Sequence, residues 1–184
     1  DNGICNACNY HEMKKEIDWE KREKELLQIL DLYRGKSEYD CIVPGSGGKD
    51  SAYAAHVLKY KYGMNPLTVT WSPHLYTDIG WKNFRNWSQI GGFDNILFTP
   101  NGKLHRYLTQ QAFLNLLHPF QPFIIGQKNI GPRFANKFDS PLVIYGENTS
   151  EYGSSIEENF NPLMEPKYFT NDENEDLYFG KKNI

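Results

Sequence analysis

The stretch from Tyr39 to Trp71 constrains the fold of this chain more than any other part of it. Tyr39-Asp40-Cys41-Ile42-Val43-Pro44 is a short apolar run that leads into Gly45-Ser46-Gly47-Gly48-Lys49-Asp50-Ser51. Pro66-Leu67-Thr68-Val69-Thr70-Trp71 is a second run, rich in β-forming residues. Between them, residues 50–62 read as a helix that buries Ala54, Val57 and Leu58, with Gly63 as its natural C′ residue. A strand, a glycine loop, a helix and a strand make a βαβ unit, which closes with a right-handed crossover and parallel strands.

The alternation continues downstream. Asn95–Thr99 reads as a third strand, stopped by Pro100-Asn101-Gly102. A helix follows over 103–117, with Leu104, Leu108, Ala112 and Leu116 on one face. Residues 123–138 read as helical in part, interrupted by Gly126 and Gly131-Pro132, and Leu142-Val143-Ile144-Tyr145 reads as a fourth strand. The fold class expected is α/β, an open doubly wound parallel sheet. A short Cys-containing segment and a helix over 18–34, N-capped by Asp18, precede it. The expected division is 1–36 for that N-terminal part, 37–153 for the α/β domain, and 154–184 for an incomplete C-terminal region or tail.

Composition narrows the class. The 184 residues are 39% hydrophobic and 23% charged, enough for a core without disulfide support. No apolar run approaches the roughly 20 residues of a membrane-spanning helix, and no export signal opens the chain. Three cysteines do not make a disulfide framework, which points to a reducing, cytoplasmic setting. A net charge of −3 argues against a general nucleic-acid binder.

The glycine loop lies between a strand and a helix, where backbone N–H groups and the helix dipole can hold anionic oxygens. Two familiar phosphate loops fail on spacing. A Walker A loop needs Gly where Val43 stands and Ser or Thr where Asp50 stands, and a dinucleotide fingerprint needs Gly at position 50. What Ser46-Gly47-Gly48-Lys49-Asp50-Ser51 does resemble is the PP-loop of the N-type ATP pyrophosphatases. The resemblance implies an adenine nucleotide alpha hydrolase-like fold and cleavage of ATP between its α and β phosphates. In these implied roles Ser46, Gly47, Gly48 and Ser51 bind pyrophosphate, Lys49 and Asp50 are catalytic, and Asp50 is a Mg²⁺ ligand or loop organiser. Trp71 stands at the strand end where the superfamily holds adenine.

The likeness extends further. Gly3-Ile4-Cys5-Asn6-Ala7-Cys8, Ile17-Asp18-Trp19, Tyr62-Gly63-Met64-Asn65-Pro66-Leu67, Thr99-Pro100-Asn101-Gly102-Lys103 and Tyr145-Gly146-Glu147-Asn148 join the loop in resembling the N-acetyl sugar amidotransferases. These are bacterial enzymes of surface-polysaccharide and flagellin-glycan pathways, including those of pseudaminic and legionaminic acid. The resemblance implies that ATP activates the amide oxygen of an N-acetyl sugar and that ammonia then forms an acetamidino group. No glutaminase nucleophile is evident: Cys41 sits in an apolar strand and the first residue is Asp1. A separate glutaminase partner is therefore expected, with an N-acetylated sugar as substrate and a bacterial cytoplasm as location.

Cys5-x-x-Cys8 supplies half of a four-ligand Zn²⁺ site, with His11 as a possible third ligand and a pair of free thiols as the plain alternative. The family's second Cys pair lies upstream of the matched region, so this chain is expected to be a fragment. Glu147, Asn148 and Glu151 follow a strand end, on the side where open α/β sheets bind ligands, and suit Mg²⁺ or substrate. Lys103, Lys128 and Arg133 are candidate contacts to phosphate or a sugar carboxylate. Two other functions compete: a tRNA-thiolation ligase on the same loop, and an adenine-nucleotide-binding module without turnover.

Overall fold

The computed structural model describes residues 3–147. Helix α1 (Asn6–Met13) and a single 3₁₀ turn lead to α2 (Trp19–Tyr33). Asp18 caps α2 as its residue type predicts, its carboxylate accepting from the Lys21 N–H at 3.0 Å. Helix α1 lies within the Cys-containing segment, for which the sequence reading assigns no element.

Strands β1 (Cys41–Pro44), β2 (Pro66–Trp71) and β3 (Asn95–Phe98) form a parallel sheet in the order β1-β2-β3. Val43 lies opposite Thr68, and Thr70 opposite Leu97. Helix α3 (Lys49–His56) runs on through a π turn over Val57–Lys61, where the Tyr62 N–H reaches the Val57 carbonyl at 3.0 Å. Its buried residues are Ala55 and Leu58. The crossover to β2 is pinned by buried Asp40. Its carboxylate accepts from Gly35 N–H at 2.6 Å and Asn65 N–H at 2.7 Å, tying the end of α2 to the start of β2.

Helix α4 (Asp78–Arg85), capped by Thr77 and extended by a second π turn over Asn86–Ile90, fills the β2–β3 connection. Its otherwise polar sequence carries an apolar edge of Trp81, Phe84 and Trp87 that packs into the core. Helices α5 (Gly102–Leu116) and α6 (Gln121–Lys137) follow β3.

Two expectations are corrected in detail. Residues 142–145 do not form a full strand. They make one parallel bridge, Ile42 to Val143, on the free edge of β1, with Ile42 N–H to Leu142 O at 2.8 Å and Ile144 N–H to Ile42 O at 2.9 Å. Residues 121–137 form one continuous helix despite two internal glycines and Pro132. Pro132 has no N–H to give the Lys128 carbonyl one turn earlier. The Tyr145 hydroxyl donates to that carbonyl instead, at 3.1 Å.

The core has two parts because β1 alternates its side chains across the sheet. Cys41 and Val43 pack with Leu30, Ala55, Leu58, Phe84, Trp87 and Phe93 on one face. Ile42, Leu67 and Val69 pack with Ile130, Phe134 and Ala135 of α6 on the other. Among the described residues no helix is long and apolar enough to cross a membrane.

Candidate functional site

The 142–144 segment lies on one side of β1 and β2 on the other, so the chain departs in opposite directions from the C-terminal end of β1. Ligands of open α/β sheets bind at such a divergence. A cleft of about 190 Å³ opens there. One wall is the glycine loop, contributing Ser46, Gly48, Asp50 and Ser51. Tyr145, Gly146 and Glu147 form a second, and Trp71 with Ile124, Gln127, Lys128 and Ile130 of α6 a third.

Glycines bring these walls together. Gly47 has φ +81°, and a Cβ there would stand 2.9 Å from the Phe84 Cα, so the loop lies flat on α4. A Cβ on Gly146 would sit 2.6 Å from the carbonyl carbon and oxygen of Asp50, which places the 145–147 segment against the first turn of α3. On α6, a Cβ on Gly126 would fall 2.2 Å from the Trp71 indole, and one on Gly131 2.6 Å from the Pro44 ring. Gly48 occupies the N-cap position of α3 and no side chain caps that helix; the Ser51 hydroxyl turns back to the Gly48 carbonyl at 3.2 Å. The first turn of α3 thus faces the cleft with small residues and hydroxyls around it.

Charge in the cleft comes from Asp50 and Glu147, both exposed carboxylates, and from Lys128. Burial lowers the Lys128 ammonium below the usual lysine range. The two carboxylates are hard oxygen donors of the kind Mg²⁺ takes. Among the described residues no group of three metal-capable side chains forms. The Trp71 ring stacks on Phe98 at 5.2 Å and meets His105 at 6.1 Å. Its Nε1, like the His105 Nε2, is buried with no hydrogen-bond partner among the described residues.

Of the residues singled out from the sequence, Ser46, Gly48, Asp50, Ser51, Trp71, Lys128 and Glu147 line this cleft. Lys49 does not. Its side chain is 91% exposed, ion-paired to Asp50 Oδ1 at 2.9 Å, and it borders a second depression behind the loop. Lys103 is exposed at the start of α5, away from the cleft lining, and its N–H donates to Asn101 Oδ1 at 3.1 Å. The Arg133 guanidinium lies 4.9 Å over the Phe98 ring and is not on the cleft lining. Asn148 and Glu151 lie outside the described residues.

Cys5 and Cys8 are exposed with their sulfurs 3.4 Å apart. The Cys5 thiol is lowered by hydrogen bonds from Cys8 and the Cys8 thiol is raised by its Cys5 neighbour, the pattern of two thiols sharing one charge. They fit two positions of a zinc site, and no third ligand joins them among the described residues. Cys41 is fully buried, and burial pushes its thiol up to about 12, in keeping with a packing role.

Sequence reasoning missed Ile124, Gln127 and Ile130. Ile124, Gln127, Lys128 and Gly131 fall at helical spacing, a face of α6 that Gly126 and Gly131-Pro132 disguise as a break in the sequence.

No family model matches the chain. It is 43% identical over 67 residues to an uncharacterized protein, MJ1599, of the archaeon Methanocaldococcus jannaschii. That alignment covers 36% of this chain and 24% of the relative, so the chain spans about a quarter of the curated protein it matches.

Proposed function

We propose that the cleft binds ATP and that the chain belongs to an AMP-forming amidotransferase of the PP-loop type, built on a doubly wound sheet. The observation that carries this reading is the meeting of three things at the C-terminal end of β1. They are the Ser46–Ser51 loop opening α3, the carboxylates of Asp50 and Glu147, and the Trp71 ring on the opposite wall. The hydroxyls of Ser46 and Ser51 and the amides of the loop suit the β and γ phosphates, and the α3 dipole favours their charge. Asp50 and Glu147 would hold Mg²⁺, which when bound neutralises phosphate charge. The cleft holds much of its charge at the loop, so an adenine ring would lie toward Trp71 and Ile124.

In this reading a substrate amide oxygen attacks the α phosphorus and pyrophosphate leaves along the loop. Ammonia then attacks the activated carbon, and AMP departs with the original oxygen. Lys128, held below the usual lysine range by burial, lines the α6 wall of the cleft and would contact phosphate or a sugar carboxylate. The ammonia would come from a separate glutaminase and the amide from an N-acetyl sugar, in a bacterial or archaeal cytoplasm. No observation in the fold favours nucleic acid as the acceptor over a sugar.

One observation favours a second reading. Lys49 turns away from the cleft, and a loop whose lysine stays outside would bind a nucleotide without cleaving it. Incubation with ATP, Mg²⁺, ammonium and a diacetamido sugar separates the readings. The lead reading expects AMP, pyrophosphate and an amidine, with Asp50→Asn lowering the rate about 10²-fold or more. AMP without amidine discards the sugar and keeps the pyrophosphatase. ATP binding without AMP supports the binding module, and no ATP binding overturns both.

A further inference from the structure

The glycine loop is a wall with two sides. Ser46, Gly48 and Asp50 face the cleft, whereas the alternate residues Gly47 and Lys49 border a broader depression of about 540 Å³ behind it. The two sides follow from a turn in the backbone: Gly47 takes φ +81°, Gly48 is extended at φ −67° and ψ 165°, and Lys49 opens α3. The far walls of the depression come from the outer face of α3 and from α4 with its π turn.

Its lining has an unusual chemical balance. Lys49 and His56 can carry positive charge, Asn83 and Asn86 offer carboxamide donors, and no carboxylate is among the lining residues. Trp87, 4% exposed, contributes a buried indole N–H that has no acceptor among the described residues. Tyr53, 71% exposed, adds flat aromatic surface, whereas Phe93 is 7% exposed and carries the Lys59 ammonium 5.4 Å over its ring. Small-molecule sites occupy roughly 300–1,000 Å³ and combine apolar walls with a few convergent polar groups. A donor-rich hollow without carboxylates, walled by rings, suits an anion with several acceptor oxygens attached to a flat ring.

We propose that this depression is a second ligand site, taking a small aromatic phosphate monoester. The phosphate is held by Lys49, His56 and the amides of Asn83 and Asn86, and the ring packs on exposed Tyr53. Lys49 reaches it by exchanging its Asp50 partner for the phosphate, a swap between two anions on a side chain already at the surface. The site is separate from the cleft and does not depend on the reaction assigned there.

The test is a titration of the whole chain with phenyl phosphate, followed by backbone amide NMR. Signals from Tyr53, His56, Asn86 and Gly91 are expected to move, and inorganic phosphate should bind at least tenfold more weakly because it lacks the ring. His56→Glu, which puts a carboxylate at an exposed position on α3, is expected to weaken phenyl phosphate at least tenfold. Shifts confined to Ser46, Tyr145 and Gly146 would overturn the proposal, as would unchanged affinity in His56→Glu. Equal affinity for inorganic phosphate overturns the aromatic part. Titration with ATP reads the cleft signals alone, so failure there and failure here are distinguishable.

Discussion

Helices α3 and α6 reach the same cleft from opposite faces of the sheet, and each depends on glycine for a different reason. At α3 the glycines lie in the loop before the helix. Gly47 adopts φ +81° and lies against the backbone of Phe84, a conformation that side chains rarely take. At α6 the glycines lie inside the helix with ordinary helical torsions, and what they supply is space for the Trp71 indole and the Pro44 ring. The first use is a backbone requirement announced by local sequence. The second is a packing requirement set by residues more than fifty positions away, and in sequence it looks like a break.

Substitutions can sharpen this contrast, and the largest effect belongs to the loop. Gly47→Ala meets both an unfavourable φ and a backbone clash, so a loss of about 3 kcal/mol is expected in urea denaturation. A loss under 1 kcal/mol would mean that the loop does not lie on α4. Gly126→Ala gains helix propensity but drives a methyl into Trp71, for a net loss of about 1–2 kcal/mol and altered tryptophan fluorescence. If the variant is more stable than the parent, α6 does not approach β2 so closely.

Tyr145→Phe removes the donor that compensates Pro132, with an expected loss of about 1 kcal/mol. In the background Pro132→Ala, which restores the N–H, the same change should have little effect. Gly102→Ala is the control: nothing lies within 4 Å of its Cβ position, and a gain of about 0.5 kcal/mol is expected from the reduced entropy of the unfolded chain alone.

The smallest effect is on pH dependence. Burial and the neighbouring His74 lower the His105 pKa, so the unfolded chain binds this proton more readily than the folded one. Its contribution to stability is complete above the ordinary histidine range and is lost as pH falls through that range. His105→Gln should flatten the decline of the thermal midpoint between pH 7 and 5. An unchanged slope would place the imidazole in water and not against Trp71.

The first βαβ unit was legible because each signal in it is local. Apolar β-formers mark β1 and β2, the glycines mark the loop, and Gly63 ends the crossover. Most of the loop-side wall of the cleft was therefore readable, from Ser46 to Ser51. The position of Lys49 was not, because the direction of this exposed side chain depends on the left-handed turn at Gly47, on its place at the start of α3 and on its ion pair with Asp50. Helix α4 was missed for a related reason: its burial rests on three aromatic residues in an otherwise polar segment.

By itself the sequence determined an α/β chain, the parallel crossover and a loop suited to anions. These follow from periodicity, torsional preference and the helix dipole, all properties of neighbouring residues. Only the tertiary structure decided that α6 is continuous, that residues 142–144 give β1 a single bridge, and that Gly146 abuts Asp50. Those outcomes depend on contacts between segments far apart in the chain, where a missing Cβ or a single hydroxyl decides how closely two backbones can approach.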